Sequence, residues 1–312
     1  MIENKILSQD VEDFDSDFFR PCIFPILADL GYSTTLSLNN GLSSSQFSEI
    51  MDVSVTFLSE QGEILGRVDV CELNVGEIKR VDTSKLMTKI GLVPEGKMLG
   101  VAHVVPRSFA GKTKVTINRQ AQMAHVGASD DFVEFRQEPK GVITGVAYQM
   151  GPQNDFRFNK TRTTLLQAPK VIVSDEVDTL FAVINASTSF EYQDTAHLEY
   201  WILGPSGNKI AFGSIEVPPW TVRFISANET LESQGERINF IDGGGLGMVL
   251  GLSRDSGLVP ISMTRNLRSG AIACDHTLPP IYYFSTWGGQ VRLDANAKLY
   301  EEVFLDLSVA VK

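Results

Sequence analysis

Apolar and polar residues alternate along many short segments of this chain, and this pattern constrains its fold more than any other feature. Residues Met51–Phe57 alternate without interruption, and Val303–Val311 repeat the pattern near the C-terminus. A period of two residues places one face of a β-strand in a core and the other toward solvent. Comparable signals predict strands at Leu36–Leu38, Val68–Val70, Val115–Ile117, Phe132–Phe135, Val142–Tyr148, Leu198–Ile202, Trp220–Phe224 and Ala271–Ala273.

Turn-forming residues separate these strands at short intervals. The segments Glu60–Gly62, Pro205–Asn208 and Asp242–Gly245 are rich in the residues that favour tight turns. Helical periodicity is confined to two short stretches, residues 83–89 and 295–302. Many short strands with close turns are typical of β-sandwiches, either immunoglobulin-like or jelly-roll-like, so the chain is predicted to be all-β.

An internal repeat runs through the chain with an offset of about 146 residues. Its order and near-constant spacing indicate a duplication, and a length of 312 residues is about twice that of a common domain. The sequence therefore predicts two tandem, duplicated β-sandwich domains. Matching segments are Leu36–Asn39 with Ala182–Asn185, Val75–Val81 with Val217–Phe224, Leu99–Val101 with Leu246–Met248, and Ile117–Arg119 with Met263–Arg265.

The boundary between the halves is predicted near a break at Gly151–Asn154. We expect an acidic N-terminal arm over residues 1–20, a first sandwich over 21–150, a linker over 151–167 and a second sandwich over 168–312. A tandem pair can hide some sheet edges against each other, while the remaining edges invite contacts with other copies.

Composition restricts the partners and the compartment. A formal net charge of −11 argues against nucleic acid, which requires a surplus of Lys and Arg. The N-terminus is acidic and no apolar run reaches spanning length, so neither a signal peptide nor membrane insertion is expected. Three widely spaced cysteines fit reduced thiols in the cytoplasm, although leaderless export or a removed leader stays open.

Several motifs resemble catalytic or metal-binding sites but lack residues that such sites require. Asp13–Asp17 lacks the Gly and Glu of a calcium loop, and Gly243–Gly247 precedes a strand instead of the helix that a phosphate loop needs. Cys274-Asp275-His276 places a thiol near an imidazole, but the other repeat has Ala128 or Ser129 where Cys274 stands, so no thiol is shared. His103 lies in an apolar run and is expected in the core. We therefore predict no catalytic residue, metal or cofactor.

Two sets of residues are candidates for ligand binding. Arg119 with Asp130, and Arg265 with Asp275, recur in the two repeats beside His276, and they fit either a ligand pocket or a structural ion pair. Aromatic residues concentrate in the second half, and flat aromatic faces stack on sugar rings. The turn after Pro279-Pro280 supplies the aromatic candidates Tyr282, Tyr283 and Trp287.

Residues Gly31–Asn40 resemble strands of bacterial immunoglobulin-like sandwiches. This resemblance covers a small part of the chain, agrees with the predicted fold class and implies no functional residue.

Three functions remain open on this basis. The first is a non-enzymatic structural or interaction protein that binds itself as a homo-oligomer, or another protein in a larger assembly. The second is a carbohydrate-binding protein with an aromatic site in the second half. The third is an all-β enzyme with a site at the domain junction, because a fold alone does not determine function.

Overall fold

The computed structural model describes residues 11–40, 49–118, 132–137, 143–147, 164–236, 246–253 and 256–276. These residues form antiparallel strands and two short helices, α1 (Thr83–Lys89) and α2 (Ala227–Glu232). The strands are β1 (Val11–Asp15), β2 (Pro21–Ile26), β3 (Tyr32–Asn39), β4 (Met51–Leu58), β5 (Ile64–Leu73), β6 (Ile78–Asp82), β7 (Met98–Pro106), β8 (Lys114–Asn118), β9 (Phe132–Gln137), β10 (Ile143–Ala147), β11 (Thr164–Val171), β12 (Val177–Asn185), β13 (Ala196–Leu203), β14 (Lys209–Val217), β15 (Thr221–Ser226), β16 (Gly247–Ser253), β17 (Leu258–Asn266) and β18 (Ile272–His276).

Four sheets of four strands build two sandwiches, and their strand orders correspond. Sheet I has the order β2-β7-β4-β5 and sheet II the order β10-β9-β3-β6. Sheet III has the order β11-β16-β13-β14 and sheet IV the order β18-β17-β12-β15. Strand for strand, sheets III and IV repeat sheets I and II, which confirms two tandem, duplicated β-sandwiches.

The local sequence explains where individual strands and helices form. Strand β3 buries every second residue, as the alternation predicts. Helix α1 begins where the Asp82 carboxylate accepts a hydrogen bond from the Ser84 N–H, and Ser226 caps α2 through Glu229 N–H in the same way. The predicted helix over residues 83–89 is confirmed, whereas the helix over 295–302 and the strand Val303–Val311 lie outside the described residues.

Two buried asparagines mark the same position in both sandwiches. The side-chain amide of Asn40 donates to the carbonyl oxygens of Glu49 and Leu73, at 3.0 and 3.1 Å. Asn185 donates to those of Asp194 and Val217, at 2.9 and 2.8 Å. Asn40, and not Asn39 as the sequence match predicts, is therefore the counterpart of Asn185. The difference is one residue, which in a strand exchanges the two faces.

The repeat changes its offset after β7. Tyr32 and Val177 are equivalent with an offset of 145, but their pairing partners Gln137 and Asn266 differ by 129. The difference arises because the first half contains β8, which pairs with β1 outside the sandwich sheets. By the same registers, Arg265 corresponds to Arg136 and not to Arg119 as the sequence match predicts.

Residues 11–20 belong to the fold and do not form the expected solvated arm. Strand β1 pairs with β8, and a 3-10 helix follows at Ser16–Phe18. Phe18 and Phe19 are buried in the core, because two adjacent aromatic rings outweigh the surrounding acidic residues. At the second boundary, β11 begins at Thr164, inside the range predicted as a linker.

Sheet IV is apolar on both faces. Phe181, Val183 and Ile225 face sheet III and belong to the core of the second sandwich. The alternate residues Ala182, Ile184, Val222, Val259 and Ile261 are buried in one cluster with the core of the first sandwich. The two sandwiches are therefore joined by a continuous hydrophobic contact, which we call the joint.

A tight turn completes the joint. Trp220 adopts a φ of 60°, the left-handed conformation that Gly76 adopts at the equivalent position. Both residues donate their N–H at 2.8 Å, Trp220 to the oxygen of Asn185 and Gly76 to that of Asn40. The Trp220 ring packs between Phe18 and Phe190, with centroid distances of 5.7 and 4.6 Å. Packing across the joint thus holds a conformation that costs a non-glycine residue roughly 1–2 kcal/mol.

The Asn40 amide gives a test of the repeat. We expect Asn40→Ala to lower the free energy of unfolding by about 2 kcal/mol, because two buried carbonyl groups lose their donor. Asn39→Ala, on the outward face of β3, should cost clearly less. Urea unfolding followed by fluorescence measures both, and equal losses would contradict the assigned register.

Candidate interaction surfaces and a polar cleft

A polar cleft of about 700 Å³ lies on the outer face of sheet I, beside β1 and β8. Arg67 binds the Asp17 carboxylate with two N–H donors, and its Nε donates to the Ser54 hydroxyl at 3.0 Å. Arg107 bridges Asp52 and Glu72, at 2.7 and 2.5 Å. The charges of these five side chains largely neutralise one another within the cleft.

This pairing gives the cleft a structural role. Burial alone would raise the pKa of Asp17, but the hydrogen bond and charge of Arg67 outweigh it and lower that pKa. A general acid or base instead needs a pKa shifted toward neutrality. The ion pair therefore fastens the Asp17 segment onto sheet I.

His103 is buried between the polar cleft and the joint. Its Nδ1–H donates to the Asp17 carbonyl oxygen, and its Nε2 accepts from the Thr56 hydroxyl, both at 2.9 Å. Phe18 and Phe190 pack edge-on against its ring. Burial, aided by the nearby Arg67 charge, lowers the pKa of His103 to about 4. The ring is thus a neutral, hydrogen-bonded core residue, as its apolar sequence context predicts.

Exposed apolar side chains are frequent in one stretch of the first sandwich. Among the described residues, nine large hydrophobic side chains are exposed, and six of these lie between Ile64 and Val93. Residues 61–97 contain six basic and six acidic residues, whereas the whole chain has a net charge of −11. The six exposed side chains are those of Ile64, Leu65, Val75, Ile78, Ile90 and Val93.

An aromatic platform lies on the outer face of sheet III. The rings of Trp201 and Phe212 are adjacent, with centroids 5.4 Å apart, and Phe212 is 44% exposed. The Lys209 ammonium group lies 5.2 Å from the centre of the Trp201 ring. Trp201 is half-buried, while Trp220 is buried in the joint. Exposed Glu199 lies on the same strand face as Trp201.

Side chains occupy parts of two sheet edges. On β14, the Gln234 amide accepts from the Phe212 N–H at 3.2 Å and donates to the Phe212 carbonyl. On β5, Lys89 donates to the Asp69 carbonyl at 3.3 Å, and Lys79 to that of Glu72. Such caps disfavour pairing with a strand of another molecule. Contacts between copies would therefore use side chains rather than these edges.

The two halves also hide edges from each other. Strands β10 and β18, each at the edge of its sheet, lie side by side across the joint. The Cys274 N–H donates to the Thr144 hydroxyl at 2.8 Å. This arrangement agrees with the expectation that tandem sandwiches protect some edges mutually.

The candidate binding residues from the sequence are only partly described. Arg119, Asp130, Tyr282, Tyr283 and Trp287 lie outside the described residues. Asp275 and His276 lie in β18, opposite Ser262 and Ile261.

Arg265 lies in β17 at the joint, near Tyr32. It pairs with Ile272, three residues from Asp275 along β18, which places the two main-chain positions roughly 10 Å apart. The Arg265 Nε and the Tyr32 hydroxyl are both buried and, within the described residues, have no hydrogen-bond partner. Burial raises the pKa of Tyr32, although the Arg265 charge acts in the opposite direction. A role for Arg265 in ligand binding stays a prediction.

The apolar side chains of residues 64–93 and Phe212 were not among the residues selected from the sequence. Valines and isoleucines at strand positions read as core residues, since a pattern does not show which face is covered. One signal was available: Val75 and Val93 lie beside Gly76 and Pro94, in turns where a core residue is uncommon.

No group of three or more His, Cys, Asp or Glu side chains among the described residues is arranged to hold a metal ion. No helix in the described segments is long and apolar enough to cross a membrane.

Comparison with known proteins finds only distant structural likeness. No protein-family model and no curated protein sequence matches the chain. A glycosyl hydrolase family 2 member from Bacteroides cellulosilyticus is 12% identical with a TM-score of 0.16, over 84% of this chain and 28% of that protein. The β-glucuronidase of Bifidobacterium dentium is 9% identical with a TM-score of 0.17, over 82% and 38%.

A second β-glucuronidase of glycoside hydrolase family 2 is 12% identical with a TM-score of 0.18, over 87% of this chain and 26% of that protein. The chain thus spans between about a quarter and two fifths of the length of these proteins. At these TM-scores the likeness supports no argument about function.

The buried His103 predicts a pH dependence of stability. Its pKa is about 4 in the folded chain and about 6.5 when exposed, so the unfolded state binds the proton more readily. The contribution of neutral His103 to the free energy of unfolding is complete above pH 6.5 and falls as the pH decreases toward 4. At pH 5 the free energy of unfolding is lower by about 2 kcal/mol.

Urea unfolding at pH 7 and pH 5 measures this loss. His103→Gln should show a difference between the two pH values that is smaller by about the same 2 kcal/mol. An unchanged pH dependence in the variant would exclude His103 as its source.

Proposed function

We propose that this chain is a non-enzymatic structural or interaction protein that associates with copies of itself. The supporting observation is the concentration of exposed apolar side chains in residues 64–93. Val75 and Ile78 lie within three residues of each other at the start of β6, and exposed apolar side chains that lie close together favour a partner surface.

The charge distribution favours a second copy as the partner. Two copies with a net charge of −11 repel each other through most of their surfaces. Residues 61–97 have balanced charges, so an approach through this side avoids most of that repulsion.

A reducing compartment such as the cytoplasm suits this proposal. None of the three cysteines forms a disulfide, and Cys22 is buried in the core of the first sandwich. The fold is therefore stabilised by hydrophobic packing without covalent cross-links.

A second candidate function is carbohydrate binding at the Trp201–Phe212 platform. A partly exposed indole beside a second ring and a carboxylate is an arrangement that stacks on sugar rings. This site differs from the Tyr282–Trp287 segment, which remains a separate prediction from the sequence.

Self-association is tested by the molar mass in solution. Size-exclusion chromatography with light scattering should give a mass above 34.3 kDa that rises with protein concentration. Ile78→Lys should lower the mass at a given concentration, because it places a charge in the apolar surface. Leu267→Lys, an exposed leucine on the second sandwich, is the matched control and should have no effect. A mass of 34.3 kDa at every concentration would refute the proposal.

Glycan binding is tested by tryptophan fluorescence in dilute protein. A binding glycan should change the emission of the wild-type chain, and Trp201→Phe should remove the change. Glu95→Gln, an exposed residue on the first sandwich, is a control that should retain the response. No response to a broad glycan panel would reject this candidate.

A further inference from the structure

We infer that copies of this chain bind head to tail, and that the contact between them repeats the joint between the two sandwiches. This inference rests on the proposed self-association and names its geometry. Its basis is that several residues buried in the joint have exposed equivalents in the other sandwich.

The second sandwich contributes one surface to the joint, formed by β15 and the turn before it. Val222 is completely buried there, and Arg223 donates to the carbonyl oxygen of Glu60 at 3.3 Å. The equivalent positions in the first sandwich are Ile78 and Lys79, because they pair with β3 as Val222 and Arg223 pair with β12. Chemical character is thus retained at both positions.

These equivalent residues are exposed in the single chain. Ile78 is 63% exposed, and Val75, the counterpart of Pro219, is 47% exposed. We call the surface formed by Val75, Ile78, Lys79 and Arg80 the β6 face. It matches the joint at Ile78 and Lys79, has Arg80 where the joint has Phe224, and lacks a partner sandwich within the described part of the chain.

The first sandwich contributes the opposite surface, which includes the β4–β5 turn. Gly62 lies so close to the turn at Pro219 that an added Cβ would be 2.4 Å from the Pro219 oxygen. Gly207 occupies the same place in the β13–β14 turn, with the same hydrogen bonds and a φ of 80° against 84°. Around Gly207, however, space for a Cβ is open.

The residues just before β7 in the first sandwich correspond to those just before β16 in the second sandwich. Lys97 lies 5.6 Å from the centre of the Phe224 ring across the joint. Its counterpart in the second sandwich is Leu246, because Leu99 and Met248 pair with equivalent residues of β4 and β13. Leu246 is 54% exposed. We call the surface formed by Trp201, Gly207, Phe212 and Leu246 the β13–β14 face.

The two faces complement each other in composition. Each presents exposed apolar side chains beside polar and charged ones. Charges of both signs lie beside the apolar side chains of each face: Arg80 is ion-paired with Glu134 at the β6 face, and Lys209 and Glu199 both lie at the β13–β14 face. Sheet II has Thr35 and Ser37 where sheet IV has Leu180 and Ala182, so the contact between copies is more polar than the joint. A reversible association is the expected result.

This geometry has a specific consequence for assembly. The β6 face of one copy binds the β13–β14 face of the next, so each copy keeps one free face of each kind. A head-to-tail contact of this type does not close with two copies and instead extends into chains. Contact between two identical faces would stop at a dimer.

Two variants that each block one face test the inference. Val75→Lys with Ile78→Lys blocks the β6 face, and Phe212→Lys with Leu246→Lys blocks the β13–β14 face. Each variant alone should have the mass of one chain, 34.3 kDa, in light scattering. An equimolar mixture should form a 1:1 pair of twice that mass and nothing larger, because one intact face of each kind remains. Unchanged circular dichroism and melting temperature confirm that these exposed substitutions leave the fold intact.

The outcomes separate the inference from the proposed function. A wild-type chain that is monomeric at all concentrations refutes both. A wild type that associates, with both variants equally associated, keeps the proposed function and overturns the head-to-tail contact. If one variant associates alone and the mixture forms no new pair, the contact joins identical faces and the inference is wrong.

Discussion

The apolar outer face of sheet IV is the contact on which the rest of the structure depends. A sheet in a two-layer sandwich normally buries one face, yet β12, β15 and β17 bury both. Each fully buried aliphatic side chain contributes roughly 1.5–3 kcal/mol, so five such residues exceed what any surface ion pair supplies. The strained turn at Trp220, the neutral His103 and the close approach at Gly62 all lie around this contact.

Duplication supplied two sandwiches of one topology, but their surfaces differ. Where sheet IV has Ala182 and Ile184, sheet II has Ser37 and Asn39, which remain half-exposed. The first half also contains β1 and β8, and the Arg67–Asp17 ion pair fastens them to sheet I. Equivalent positions are thus buried in the joint in sheet IV and partly exposed at the surface in sheet II.

Alternation in the sequence predicted much of the fold, because burial of one strand face repeats every two residues. Strands such as β4 and β13, and helix α1, agree with their predicted positions. The register of the repeat was wrong by one residue because Asn39 and Asn40 are adjacent and only the side chain of Asn40 points inward. The candidate surfaces could not be predicted in this way. Ile78 and Val222 have the same pattern, and only the position of the neighbouring sandwich decides which is exposed.

A sheet shared between two hydrophobic cores also couples their unfolding. Separation of the sandwiches would expose Ile184, Val222 and Val259 to water, and opening the first sandwich removes their cover. Neither half can therefore open alone without a large cost to the other. The chain should behave as one cooperative unit, with a single unfolding transition and a heat capacity change that corresponds to both cores together.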